Sequence, residues 1–376
     1  MNTQSNNALR KKSTIGFLTY LISDDYSNPL WDAIVDAAQE QDVNLLCFIG
    51  ETLDVPPNIG KPQSNYIYDL IDPTSIDGLI VLSGPLHQHI GTQAFEAFCH
   101  NYDPLPIVSI ALDMPDYPSI LVDNHSGLRA AISHLIEDHG YRRLAFVTGP
   151  EGHQEANLRF QIYQKILDEH GIPFDPRLVA PGDWEMSSGP RAVRTLIDER
   201  HLDMDAIVFS NDSMAFSALA DLRARGIQVP QQIAVVGFDN LIITQFSWPP
   251  LTTVGQPLQK QGQLAVEMLL DMIHGKPVPP QVTLPTELII RQSCGCLDPA
   301  VLLPPAKGTL AQPTTMPSRR PTIVAAMVEP FDSEFPQAIT PLLETVVTAF
   351  LDALADPSLS TQFIHTLIDT AYQSFL

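Results

Sequence analysis

The sequence predicts an α/β fold with two parallel sheets side by side, followed by a helical extension. Three observations predict it. Short β-rich apolar runs alternate with amphipathic helical patterns from about residue 14 to residue 290, which is the signature of βαβ units. There are roughly ten such runs, more than one doubly wound sheet holds comfortably. A proline-rich stretch then separates this region from a second, purely helical pattern.

The first run, TIGFLTYLI, is followed by Asn28-Pro29 and by Trp31, Ile34, Val35 and Ala38 at helical spacing. VNLLCFI, IDGLIVLS, PIVSIA and SILVD supply the next strands. After Asp123-Asn124, the residues Leu128, Ala131, Ile132, Leu135 and Ile136 form another apolar stripe. RLAFVTG, RLVAPG, AIVFSN and IAVVGFD complete the strand series. Residues 297–321 concentrate proline, threonine and alanine without an apolar period and are expected to be an extended linker. Within 322–376, Ile339, Leu342, Leu343, Val346, Val347, Phe350, Leu351 and Leu354 share one helical stripe, and Phe363, Ile364, Leu367 and Ile368 begin another. Such stripes need cover, either by packing back, by dimerising, or by joining an output module.

A chain of 376 residues can bury two ordinary cores without disulfides. Its formal net charge of -22, from 43 acidic against 21 basic residues, repels nucleic-acid phosphates and anionic lipids. Cys47, Cys99, Cys294 and Cys296 contain no CxxC, as expected for a reducing cytoplasm. The polar stretch MNTQSNNALRKK ends in Arg10, Lys11 and Lys12, but the apolar stretch that follows has no cleavage site, so it reads as a strand and not as an export signal. No apolar run is long enough to span a membrane.

In open parallel sheets a ligand sits beyond the carboxyl ends of the strands, and polar residues cluster at those positions. Asp24, Asp25 and Tyr26 follow the first strand, Ser83 to His89 the third, and Asp113 the fourth. Asn211-Asp212 follows AIVFS, and Asp239-Asn240 follows IAVVGF. Carboxylates and amides match the hydrogen-bonding of sugar or nucleoside hydroxyls, while Arg159 and Trp184 add a forked donor and a flat apolar face. An Asp after a strand is by itself more often the N-cap of the next helix, so the convergence of several such residues carries the reading. No catalytic, phosphate-loop or dinucleotide motif is present, so neither turnover nor a cofactor is expected. Of the histidines, His134 and His139 fall near one helix end, and His87 with His89, a His-x-His after a strand, could hold a metal but reads as a solvated loop, since no third ligand is evident. Cys294-Gly295-Cys296 has a spacer too short for a zinc knuckle, so no metal is expected.

The order of SNPLWDAIVDAA, IDGLIVLS, VDNHSGLRAAISHLIEDHGYRRLAFVTGP, GDWEMSSG, FSNDSMAFSALADLRARGIQVPQQIAVVGFDN, PPLTTVGQP and LPTELIIRQS resembles the effector-binding core of the lactose-repressor and galactose-repressor (LacI/GalR) family, over about residues 14–296. The resemblance implies two Rossmann-like lobes of the periplasmic-binding-protein type, joined by three crossovers near Val122 to Asn124, Pro250 to Gln256 and Val282 to Glu287. Lobe 1 is then about 14–122 and 251–284, and lobe 2 about 123–250 and 285–296. Carried over residue by residue, it implies ligand contacts at Asp113, Arg159, Trp184, Asn211, Asp239 and Gln256. Asp24, Tyr26 and His87 belong to loops lining the opposite wall.

The resemblance also implies a homodimer and a sugar or nucleoside effector. The family's helix-turn-helix head needs about sixty residues before the first core strand, whereas thirteen precede Thr14 here. Direct DNA binding by this chain is therefore not expected. The ending RQSCGC followed by a linker and helices is similar to sensor modules fused to kinases or cyclases, so the expected output runs through the carboxy-terminal helices or a partner protein. Two alternatives stay open: a repressor-like protein acting at DNA with a partner, and a solute receptor of a transport system.

Overall fold

The computed structural model describes residues 12–53, 63–88 and 90–296, together with 344, 345 and 348. Residues up to 302 form one unit and 303–376 a second. The expected linker, nearly all of the helical tail, His89 and residues 1–11 lie outside the described residues.

The apolar runs become strands covered on both faces. The first lobe contains β1 (Thr14–Thr19), α1 (Ser27–Glu40), β2 (Asn44–Ile49), β3 (Gly78–Leu82), the single turn α2 (Ser83–Leu86), α3 (Thr92–Cys99), β4 (Ile107–Ile110) and β5 (Ser119–Val122). The chain then enters the second lobe through α4 (Asn124–Ser133), which continues into a π-helical turn over His134–Asp138. There follow β6 (Leu144–Val147), α5 (Gln154–Glu169), β7 (Val179–Ala180), α6 (Ser188–Val193), β8 (Ala206–Phe209), α7 (Asp212–Ala224), β9 (Ala234–Asp239) and β10 (Thr252–Gly255). α8 (Leu258–Ile273) and β11 (Gln281–Leu284) return to the first lobe, and β12 (Glu287–Ile289) ends in the second.

The two sheets repeat one topology. Their orders are β2-β1-β3-β4-β5-β11 and β7-β6-β8-β9-β10-β12, parallel throughout except for β12, which runs antiparallel to β10. Each sheet is sandwiched. In the first lobe Leu30 and Ile34 of α1 join Ala265, Val266 and Leu269 of α8 on one face, while Phe95 and Cys99 of α3 help close the other. In the second, α4 and α5 cover one face, and α6 and α7 the other. Strands buried on both sides require uninterrupted apolar sequence, and GLIVL of β3 is buried at every position. α1 and α8 approach closely at Gly262, where a Cβ would stand 2.6 Å from the Leu30 carbonyl oxygen.

One boundary differs from the sequence expectation. Thr252–Gly255 pairs with β9 and β12 in the second sheet, so the chain re-enters the first lobe after Gly255 and not at residue 251. With a strand of only four residues between its flanking prolines, PPLTTVGQP gives little sign of a strand. The first and third crossings run side by side: the Asp123 amide donates to the Leu284 carbonyl (2.8 Å), and the Thr286 hydroxyl to the Asp123 carbonyl (2.7 Å). Gly127 packs the start of α4 against them, for a Cβ there would lie 2.3 Å from both Thr286 Oγ1 and Val254 Cγ1.

Candidate functional site in the interlobe cleft

A strand order of 2-1-3-4-5 reverses direction between its first and third strands, and ligands bind at the crevice that results. In the first sheet the chain leaves β1 into Tyr20 to Tyr26 and β3 into Ser83 to Gln88; in the second it leaves β6, β8 and β9 into His153, Asn211 and Asp239. These strand ends face one another across a cavity of about 400 Å³, the size of a small-molecule site.

Seven of the nine residues singled out in the sequence line this cavity: Asp24, Tyr26, Arg159, Trp184, Asn211, Asp239 and Gln256. Arg159 is its centre. Though only 2% exposed, its guanidinium donates to Asn124 Oδ1 (2.7 Å), the Ser210 carbonyl (2.5 Å) and Glu155 Oε2 (3.4 Å). It lies 3.7 Å above the Phe238 ring and 3.9 Å from Asp239 Oδ1. Asp239 accepts from Gln256 Nε2 at 2.6 Å. Burial raises its carboxyl to about 7 against the pull of Arg159, with Glu155 adding to the rise. A buried carboxyl poised this way is a ready acceptor for a ligand hydroxyl.

Around this core, Asn211 caps α7 by accepting from the Met214 amide (3.0 Å) and donates to the Trp184 carbonyl (2.9 Å). Capping and lining are thus combined in one side chain. Trp184 takes a positive φ of 70° and lies over Gly149, whose missing side chain makes room, since a Cβ there would fall 2.4 Å from the indole. Asp24 accepts from the amides of Tyr26 and Ser27, both at 2.8 Å, and so closes the turn into α1. Burial and the charges of Glu155 and Asp239 push the Tyr26 phenol well up, which keeps it a hydrogen-bond donor.

His87 and Asp113 do not join the lining. The ring of His87 is turned inward, 4.5 Å from that of His153, and its Nδ1–H donates to the Ser83 carbonyl at 2.8 Å. Its neighbours Gly84, Pro85 and Gln88 form the wall instead. Asp113 is exposed, and its amide, not its carboxylate, is engaged, donating to Gln154 Oε1 across the cleft at 2.9 Å. Two further contacts join the lobes there: Gln88 Nε2 to the Asp183 carbonyl (3.0 Å) and His153 Nε2 to the Gly84 carbonyl (3.3 Å).

Glu155, His153, Glu185 and Tyr20 line the cavity and were missed in the sequence. For Glu155 a signal existed: it stands four residues before Arg159 on α5, a spacing that pairs opposite charges. Five carboxylates line the cavity, Asp24, Asp25, Glu155, Glu185 and Asp239, against the single guanidinium of Arg159. That balance repels anions. Tyr20, Tyr26, Trp184, Met186 and Ile243 supply apolar faces between the polar groups.

Comparison with known proteins agrees with this architecture. Residues 132–294 match a periplasmic binding protein-like domain. The HTH-type transcriptional repressor MelR of Bacillus subtilis is 33% identical over 298 residues, covering 76% of this chain and 80% of that one. The chain belongs to the LacI/GalR family. Another LacI/GalR relative, the HTH-type transcriptional repressor CytR of Escherichia coli, is 33% identical over 239 residues, 62% of this chain and 67% of CytR. Among solved structures, a complex of the transcriptional regulator CelR with cellobiose superposes with a TM-score of 0.64 at 26% identity, covering 76% of this chain and 85% of that one. A lac repressor structure shares the LacI/GalR fold, with a TM-score of 0.63 at 24% identity over 76% of this chain and 83% of the repressor.

Proposed function

We propose that this chain is a ligand-sensing regulator whose effector is a neutral, hydroxyl-rich molecule, a sugar or a nucleoside, held between the two lobes. The observation that carries the reading is the lining itself: a hydrogen-bonded Arg159–Asp239–Gln256 set beside Trp184, in a cavity whose remaining charges are acidic. Such a lining favours hydroxyls stacked on an aromatic face and disfavours phosphate esters. CelR, a relative of the same fold, is known with bound cellobiose, a neutral sugar. An effector touching both walls favours the closed arrangement by its differential contacts, with the paired crossings at Asp123 and Thr286 as the hinge. We read the site as one of binding without turnover.

The response leaves the core either through the chain beyond Cys296 or through a partner protein, with a homodimer as the working unit in the cytoplasm. Among the described residues no helix is long and apolar enough to cross a membrane. The names of the relatives favour a second output, at DNA in company with a partner. A salt-dependent shift of promoter DNA by the purified chain would replace the first output with direct DNA binding.

Isothermal titration of the full chain against neutral sugars and nucleosides and their phosphorylated counterparts tests the effector reading. Binding confined to neutral compounds, and lost in Arg159→Ala and Asp239→Ala, is the expected result. Equal binding in both variants, or a preference for the phosphorylated forms, overturns it.

A further inference from the structure

On the far side of the second lobe from the cleft chemistry, two histidines and two cysteines meet. His134 begins the π-helical turn that ends α4, and His139 follows that turn. Cys294 and Cys296 lie in the segment after β12. His134 Nε2 stands 3.2 Å from His139 Nε2, 3.4 Å from Cys294 Sγ and 3.5 Å from Cys296 Sγ, and His139 Nε2 is 3.5 Å from Cys296 Sγ. One ligand atom from each residue falls within 4.8 Å of all the others.

We infer that these four side chains form a tetrahedral site for a borderline-soft divalent cation, zinc above all. With zinc–nitrogen bonds of about 2.0–2.1 Å and zinc–sulfur bonds of about 2.3 Å, the edges of a Cys₂His₂ tetrahedron are about 3.3 Å between nitrogens and about 3.6 Å between nitrogen and sulfur. Four edges of the cluster, from 3.2 to 3.5 Å, have these lengths. Two imidazole Nε2 atoms facing each other at 3.2 Å can share only one proton; a cation between them satisfies both as acceptors.

The surroundings agree. His134 Nδ1 is held by Asp138 Oδ2 at 2.6 Å, the carboxylate–histidine pairing that orients a metal-bound imidazole and leaves Nε2 to the ion. Gly295, at φ +112°, makes the turn between the cysteines, where a Cβ would press on the His139 ring at 3.2 Å. The Tyr141 hydroxyl donates to the Cys294 carbonyl at 3.2 Å and its ring stacks on His139. Cys294 is fully buried. The ion joins the end of α4 to the segment that follows β12, fixing that segment to the lobe.

The full chain, purified under reducing conditions and stripped with a chelator, is titrated with Co²⁺ and then with Zn²⁺. One Co²⁺ per chain is expected, with thiolate charge-transfer and tetrahedral d–d absorption that Zn²⁺ abolishes, and the thermal midpoint rises with metal. Cys296→Ser and His139→Gln remove these bands, Asp138→Asn weakens affinity about 10–100-fold, and Cys47→Ser leaves all of this unchanged. Circular dichroism confirms that each variant is folded. Absence of the tetrahedral bands in the native chain, their persistence in folded Cys296→Ser, or a Cys294–Cys296 disulfide found by intact mass in the metal-exposed chain overturns the assignment.

Discussion

The polar core of the second lobe's wall, Arg159 and Asp239, is buried and internally bonded, whereas the first lobe's Leu21 to Asp25 loop is half-exposed. Arg159 and Asp239 are 2% and 6% exposed and belong to one network with Glu155, Asn124 and Gln256. Across from them, Asp24 and Asp25 are partly open to water, Leu21 is 37% exposed, and Asp24 spends its hydrogen bonds on the turn into α1. The buried wall is pre-organised and loses little freedom on meeting a ligand. Under the proposed effector reading, the difference fits a division of labour in which the second lobe recognises and the first closes over what is held.

The comparison breaks most sharply at Arg159. Arg159→Ala leaves Glu155 and Asp239 buried without their cation, so a loss of about 3–5 kcal/mol in stability is expected together with loss of effector binding; a denaturant titration that finds under about 1 kcal/mol contradicts the buried network. Gly127→Ala, which forces a methyl group against Val254 and Thr286 beside the hinge, should cost about 1–3 kcal/mol in the same assay.

A smaller effect comes from pH. Burial holds the Asp239 carboxyl up at about 7, against 3.8 for an unperturbed aspartate. Ligand hydroxyls donate to the carboxylate and so favour its ionised form. Affinity should therefore fall as pH drops below about 7, with a proton released on binding within that falling range and none above it. For stability the sign is opposite: between about pH 4 and 7 the folded chain keeps a proton that the unfolded chain has lost, so this site's contribution declines as pH rises through that window. Asp239→Asn should then flatten the decline and raise the melting midpoint by about 2–4 °C at about pH 8; a lower midpoint in the variant would count against the raised carboxyl. Gln88→Ala removes one bond between the walls and should weaken effector binding less than about tenfold, by disfavouring closure, with stability unchanged in a melting curve.

How much of this was legible in the sequence depended on distance along the chain. The sheets were, because GLIVL and LAFV carry their double burial in four or five residues. The strand-end residues were legible for the same reason: Asp239 ends β9 and Asn211 caps α7, elements whose ends can be located. Rotation of a side chain was not: His87 turns its ring into the core, and Asp113 offers its amide across the cleft. The histidine–cysteine cluster was hidden twice over. His134 and Cys294 are 160 positions apart, and histidines five residues apart diverge on an α-helix, meeting here because the helix ends in a π turn whose repeat is longer.

The division between the walls is tested most directly by titrating one neutral sugar or nucleoside that the full chain binds into Asp239→Ala and Asp24→Ala under the same conditions. Removing the buried acceptor should weaken binding by about 100-fold or more, and removing the half-exposed one by less than about tenfold. Equal losses, or the reverse order, would contradict the assignment of recognition to the second lobe.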